Sequence, residues 1–321
     1  MEQERDFRFD NLRLILIFFV VFAHFLELVS GSVALNIYKI IYMFHMPVFV
    51  FLAGRFAKFD IKKIGKRLIV PYIIFQIGYE VFSDLVLKHT DLSVQFTTPY
   101  WLLWFLLAII FYYLLIPVLP KKESKLKYLV IGFAFIIGLL AGFEKTIGYY
   151  LSLSRVLVFF PMFLIGYYSR DISQDIEKIV KRPKLIGLIV SIVLIISITT
   201  VLLLIDVPKH ALYGSYAYSS TNGSIWIRLL LYIVSLSWIT LLCLIIPNKK
   251  IPFISVIGQD TMLIYLLHGF IVKYLETLNM FKFNQAVNIL ISLALSTGIV
   301  VLFGNKFVVK AFAKITKRSD I

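Results

Sequence analysis

Three of the five histidines in this chain, His24, His45 and His268, fall inside long apolar stretches. An imidazole changes charge near neutral pH and can act as general base, acid or hydrogen-bond donor. Arg13 precedes His24 by eleven residues. Eleven helical steps at ~100° end within ~20° of three full turns, so both side chains share one face, roughly 16 Å apart. Glu27 stands at i+3 from His24, within reach of it. Tyr265 lies one turn before His268. Glu80, Asp84, Arg155 and Arg228 add polar groups to other apolar stretches. A charge at a bilayer centre costs at least ~2.5–3.5 kcal/mol, so ionisable residues at that depth mark function by default.

Simpler readings stand beside these. Glu27, Lys39 and Arg228 lie near enough to stretch ends to snorkel to the interface. His45 and His268 serve equally well as helix-to-helix hydrogen-bond donors. Three histidines raise the question of a metal, but no HxxxH-type pair supports one, and none is expected. The single cysteine, Cys243, allows no intramolecular disulfide, and Cys-x-x-Cys spacings are absent. A second concentration of chemistry is basic: Arg55, Lys58, Lys62, Lys63, Lys66 and Arg67 fall between positions 55 and 67. Membrane topology accounts for part of that cluster. Its density also suits a polyanion such as a nucleotide phosphate.

The elements that must position these residues are membrane helices. Hydrophobic residues make up 60% of the 321, and charged residues 16%. A spanning helix needs ~20 mostly apolar residues. The composition therefore excludes a soluble enzyme with a membrane anchor, a disordered chain and a fibrous one. Ten apolar stretches, without period-2 alternation, run over 12–30, 35–55, 68–88, 100–119, 128–142, 153–168, 185–205, 225–246, 253–274 and 284–303. With the N-terminus in the cytoplasm, inner segments hold 25 Lys and Arg and outer segments hold four. That bias predicts an all-α integral membrane protein of ten transmembrane helices with both termini cytoplasmic.

The net charge of +15 then reflects inner loops, and no nucleic-acid partner is expected. The flank Glu2, Glu4, Arg5, Asp6, Arg8, Asp10 is not a clean basic leader, so the first helix is read as retained. Residues 1–303 form one membrane domain. Residues 304–321 form a basic cytoplasmic tail, with Lys306, Lys310 and Lys314 four apart, that suits the anionic inner leaflet. The loop 206–224, with Tyr213, Tyr216 and Tyr218, suits carbohydrate, and suits a membrane interface better. No internal repeat is visible, which weighs against transport.

Several motifs resemble those of the acyltransferase-3 family of membrane O-acyltransferases, in particular its fucose 4-O-acetylase-like branch. Arg8-Phe9-Asp10-Asn11-Leu12-Arg13 followed by His24 is similar to the family's Arg-x10-His signature. Phe44-His45-Met46-Pro47-Val48-Phe49 with Leu52-Ala53-Gly54 resembles its FHMP…F…SG segment, with Ala53 where Ser is common. Lys66-Arg67-Leu68-Ile69-Val70-Pro71-Tyr72 resembles its basic-RL-P-Y element. Trp104 to Ala108 resembles its WFL-A segment, and Gly258 through Tyr265-Leu266-Leu267-His268 its IY-L-H segment. The matches are spread in order over positions 8–268. The family's RxxR is here Lys63-x-x-Lys66, with Arg67 following, and Lys binds phosphate as a point charge without the fork of Arg.

The resemblance implies an acyl-CoA donor on the cytoplasmic side and an acceptor hydroxyl on the outer side. His24 would be the catalytic base, with Arg13, Lys63, Lys66 and Arg67 serving the donor. Glu27 would orient the ring, and His45, Tyr265 and His268 would donate to the oxyanion. Glu80 and Arg155 are the acceptor-side candidates. The expected function is transfer of acetyl from acetyl-CoA, a cosubstrate rather than a resident cofactor, to a sugar of a surface polysaccharide or its lipid-linked precursor. The expected setting is the plasma membrane of a bacterium. A transporter or flippase for a glycan is the alternative. The sequence fits both a covalent acyl-His24 intermediate and direct transfer, and it fixes no oligomeric state.

Overall fold

The computed structural model describes residues 5–88, 94–180, 182–305 and 308. Among them there is no strand. The α-helices are α1 (Phe7–Leu26), α2 (Ser32–Tyr42), α3 (His45–Arg55), α4 (Ile61–Ile64), α5 (Val70–Leu85), α6 (Trp104–Leu115), α7 (Leu126–Leu140) and α8 (Leu153–Tyr167). They continue with α9 (Ser169–Ile179), α10 (Pro183–Leu204), α11 (Tyr218–Thr221), α12 (Ile225–Ile245), α13 (Ile254–Ile257), α14 (Met262–Thr277) and α15 (Gln285–Phe303). A π-helical turn, Gly65–Ile69, joins α4 to α5. Of the expected basic tail, all but Gly304, Asn305 and Val308 lies outside the described residues.

All ten expected stretches coincide with helices. Among the described residues, eight helical segments are long and apolar enough to cross a membrane. The other two, α7 and α14, are shorter, at 15 and 16 residues. Two stretches that read as continuous are broken. The second divides at Met43–Phe44 between α2 and α3, and Pro47 falls in the first turn of α3, where a missing N–H costs nothing. The ninth divides after α13, where Asp260 Oδ1 accepts from Met262 N at 3.2 Å.

The surface confirms the solvent. On α7, Leu129, Phe133, Ile136 and Leu140 form one exposed stripe at helical spacing, while Lys127, Ile131, Ala134 and Gly138 are buried. On α10, Leu185, Ile189, Ile192 and Ile196 are exposed in the same way. Water would not tolerate apolar faces of this size, whereas lipid requires them. The protein is an all-α, multi-pass membrane protein.

The helices fall into two compact units. In the first, α1 packs against α13, α14 and α15. Tyr79 of α5 stacks flat on Phe270 of α14, with ring centroids 4.0 Å apart, and its hydroxyl donates to Leu266 O at 2.8 Å. Two N-caps fix helix starts here: Asp6 accepts from Arg8 N and Asn284 from Val287 N. Gly258 is required by its neighbour, since a Cβ there would sit 1.8 Å from Asp10 O.

In the second unit, α8 is the hub and packs against α3, α6 and α7. Gly54 of α3 and Gly166 of α8 face one another. A Cβ at Gly54 would sit 2.0 Å from Phe163 O, and one at Gly166 would sit 2.0 Å from Phe51 O. Small residues allow this backbone-to-backbone approach, which drives helix packing where no hydrophobic effect operates. Pro161 inside α8 removes one helical hydrogen bond. Nearby carbonyls are covered from other helices: Tyr112 donates to Val156 O at 2.7 Å and Tyr232 to Val158 O at 2.9 Å.

The glycine crossing generates a prediction. Gly54→Ala forces the helices apart and should cost about 1–3 kcal/mol, as overpacking does. Gly132→Ala on α7, where a Cβ meets nothing within 4 Å, should be neutral or stabilising by up to ~1 kcal/mol. Thermal unfolding of both variants in detergent checks the contrast.

Candidate functional site

His24 and His268 come together in the first unit. Their ring centroids are 5.4 Å apart and the planes are inclined by 24°. Both are buried, His268 completely. His24 sits near the C-terminal end of α1, and His268 midway along α14. His268 Nδ1 is 2.9 Å from Ile264 O. A carbonyl only accepts, so Nδ1 carries the hydrogen and Nε2 is the acceptor of the neutral ring. Tyr265, also buried, has its ring 6.4 Å from that of His268.

Arg13 lies on α1 with His24, as the spacing requires. Its Nη1 donates to Asp10 Oδ1 at 3.0 Å, and Arg5 Nε donates to Asp10 Oδ2 at 2.7 Å. Asp10 is 2% exposed, so its carboxylate fixes the Arg13 end of the helix face. Asn11, next to it, ties α1 to the chain before α13. Its Nδ2 donates to Pro247 O and Lys249 O, and its Oδ1 accepts from Ser255 Oγ. Sequence reasoning did not single out Asp10 or Asn11 for a role. The signal for Asp10 was present, as an acid three residues before Arg13 on a helix.

Glu27 is the exposed C-cap of α1. Glu80, on α5, accepts from the buried Gln76 at 3.2 Å. Lys39 is 2% exposed and Arg228 5% exposed, so neither snorkels as expected. Lys39 lies on the buried face of α2 with Ala34, Tyr38 and Ile41. Arg228 is drawn inward by two carbonyls, donating to Gly138 O at 3.2 Å and Tyr216 O at 3.3 Å, with Tyr218 beneath its guanidinium.

The second unit holds the remaining candidates. His45 opens α3, is 1% exposed, and meets the Tyr42 ring edge-on at 4.6 Å. Arg155, near the start of α8, is also buried. The two residues before α8, Leu151 and Ser152, both have positive φ, at 47° and 53°, a strained entry of the sort found at functional sites. The basic segment is built on a short scaffold. Asp60 caps α4, accepting from Lys63 N at 3.0 Å, and its side chain also pairs with Lys63 Nζ at 3.4 Å. Lys63 and Lys66 are exposed and Arg67 is half-buried. Lys66 and Arg67 belong to the π-helical turn, a feature frequent at functional sites. Arg55 is held apart from them, donating to Ser169 Oγ at 2.6 Å.

Many apolar helices, a buried imidazole pair and an exposed cluster of cations thus mark a multi-pass membrane protein. Residues 6–304 match the family model described as an acyltransferase domain, and the chain belongs to this acyltransferase-3 family. Its family is that of an acyltransferase domain, which leaves the transporter alternative without support. The chain is 27% identical over 206 residues to the nodulation protein NolL of Sinorhizobium fredii. The match covers 57% of this chain and 54% of that protein, so the chain spans about half the length of this curated relative. No solved structure matches it significantly.

The Asp60 cap generates a pH prediction. The Lys63 backbone N–H, more than any other neighbour, holds the Asp60 carboxyl below its usual value of 3.8. A group lowered on folding stabilises above its unfolded pKa, and that contribution is lost as pH falls through the folded one. Protection of the Lys63 amide against hydrogen exchange should therefore persist to about pH 4 and decline below. In Asp60→Ala it should be weak at every pH.

Proposed function

We propose that the protein moves an acetyl group from acetyl-CoA to a sugar hydroxyl of a bacterial cell-surface polysaccharide or its lipid-linked precursor, as in the fucose 4-O-acetylase-like branch of the family. The observation that carries this reading is the buried His24–His268 pair, on a helix whose same face bears Arg13. In this reading the protein lies in the plasma membrane, and both termini are cytoplasmic by the charge bias of the loops. Residues 1–303 are the membrane domain and 304–321 a lipid-facing tail.

The chemistry follows from the side chains. Neutral His24 takes the proton of the acceptor hydroxyl as its oxygen attacks the thioester carbonyl. A general base in that position contributes typically ~10²–10⁴-fold. The carbon–sulfur bond breaks, the ester forms, and the proton passes to the departing thiolate to give free CoA. His268, whose neutral ring accepts at Nε2, is a poor donor to the oxyanion. That role falls to the Tyr265 hydroxyl. Arg13 and, in the second unit, the exposed Lys63 and Lys66 with the half-buried Arg67 are assigned to the anionic end of acetyl-CoA. Glu27, exposed at the C-cap, acts at most on the orientation of the α1 terminus. His45, Glu80 and Arg155 are assigned to the acceptor.

The test uses purified, detergent-solubilised protein. His24→Ala should abolish acetyl transfer while leaving acetyl-CoA binding and the unfolding temperature unchanged. Lys66→Ala/Arg67→Ala should weaken acetyl-CoA binding about tenfold. Full transfer activity in the His24 variant, or no acetyl-CoA binding by the folded wild type, would overturn the reading.

A further inference from the structure

The second unit contains a buried cation that the chemistry above does not use fully. Arg155 is 8% exposed. Its guanidinium lies over the rings of Trp104, at 4.9 Å, and Tyr149, at 5.2 Å. Nε donates to Tyr213 O at 3.2 Å. Among the described residues, no carboxylate lies within ion-pair range, and neither Nη group makes a hydrogen bond. A buried guanidinium normally has both. What remains open on Arg155 is the two-pronged edge that takes a carboxylate or phosphate.

The surroundings are those of a saccharide site. Tyr149 and Tyr216 join hydroxyl to hydroxyl at 2.8 Å. His210, exposed, meets the rings of Tyr213 at 5.4 Å and Tyr216 at 5.3 Å. Tyr213 in turn lies 5.3 Å from Tyr42, which meets His45 at 4.6 Å. A run of aromatic faces thus leads from the exposed His210 to the buried His45. Ser152 and Ser215 lie on the two segments that meet here, as shown by Ser154 Oγ donating to Gly214 O at 2.8 Å. Both hydroxyls are buried without a hydrogen-bond partner among the described residues. Tyrosine and tryptophan offer an apolar face with a polar rim, which suits the two sides of a sugar ring. The loop read from sequence as an interface belt is therefore folded onto a cation.

We propose that Arg155, with Trp104, Tyr149, Tyr213, Tyr216 and His210, forms the acceptor subsite, and that the acceptor is an acidic saccharide whose carboxylate or phosphate lies on the Nη edge of Arg155. This rests on the reading of the chain as a saccharide acetyltransferase and narrows its substrate class.

The test is binding to the purified full chain in detergent, followed by calorimetry. The probes are tri-galacturonate for a carboxylate, galactose 1-phosphate for a phosphate, and neutral galactotriose and galactose as their matched controls. The expected result is that one acidic probe binds at least tenfold tighter than its neutral control, with a preference that weakens as salt is raised. Arg155→Gln should bring the acidic probe to the neutral level. Arg155→Lys, which keeps the charge and loses the fork, should restore only part of the preference. Tyr149→Ala should weaken acidic probes and controls together. Equal binding of acidic and neutral probes by the wild type, binding of neither, or an acid preference that survives in folded Arg155→Gln would overturn the proposal. The wild-type comparison decides the matter even if the variants do not fold. Acetyl-CoA binding, measured in parallel on the wild type, separates the two readings. Its absence removes the acetyltransferase reading, whereas loss of acid preference with acetyl-CoA still bound removes only this one.

Discussion

A polar group on a membrane helix has no water to fall back on, so the protein must supply every partner from within. That constraint organises both units. In the first, Asp10 gathers Arg5 and Arg13, and Asn11 ties the same stretch of α1 to three groups before and within α13. On α15, Ser292 and Ser296 return their hydroxyls to carbonyls one turn back. In the second, Tyr112 and Tyr232 cover carbonyls of α8 beside its proline. Against this background of local satisfaction Arg155 stands out: it is buried, and its hydrogen bond runs from Nε to Tyr213 O.

The fold was legible in the sequence because hydropathy is a strong signal over twenty residues. Ten stretches were expected and each coincides with helix among the described residues, eight of them long enough to span. The interruptions were less legible. Residues 35–55 are mostly apolar, and only Pro47 hints that the helix restarts at His45. The break before α14 depends on Asp260 capping locally, a choice that hydropathy does not register.

The site was legible where it lies on one helix and obscure where it lies on several. Arg13 and His24 share a face because eleven residues nearly complete three turns, an argument that needs no structure. The stacking of His24 on His268 joins positions far apart in the chain, and no spacing rule reaches across that distance. Arg228 was misjudged because its nearness to a helix end suggested the interface, while the carbonyls of Gly138 and Tyr216 draw it inside. The tyrosines of 213–218 were ambiguous for the same reason, since composition describes a loop's taste for interfaces and not what it folds against.

The π-helical turn Gly65–Ile69 carries a consequence for how this segment can vary. A π-turn holds one residue more than the α-helix it interrupts, so it behaves as a tolerated insertion. Losing one of its five residues would turn it back into an ordinary α-helical turn, with the flanking segments keeping nearly the same faces. Ile73, Ile74 and Ile77 of α5 stay outward in either form. The segment can thus absorb a one-residue change in length, while an exchange of lysine for arginine alters how it grips a phosphate.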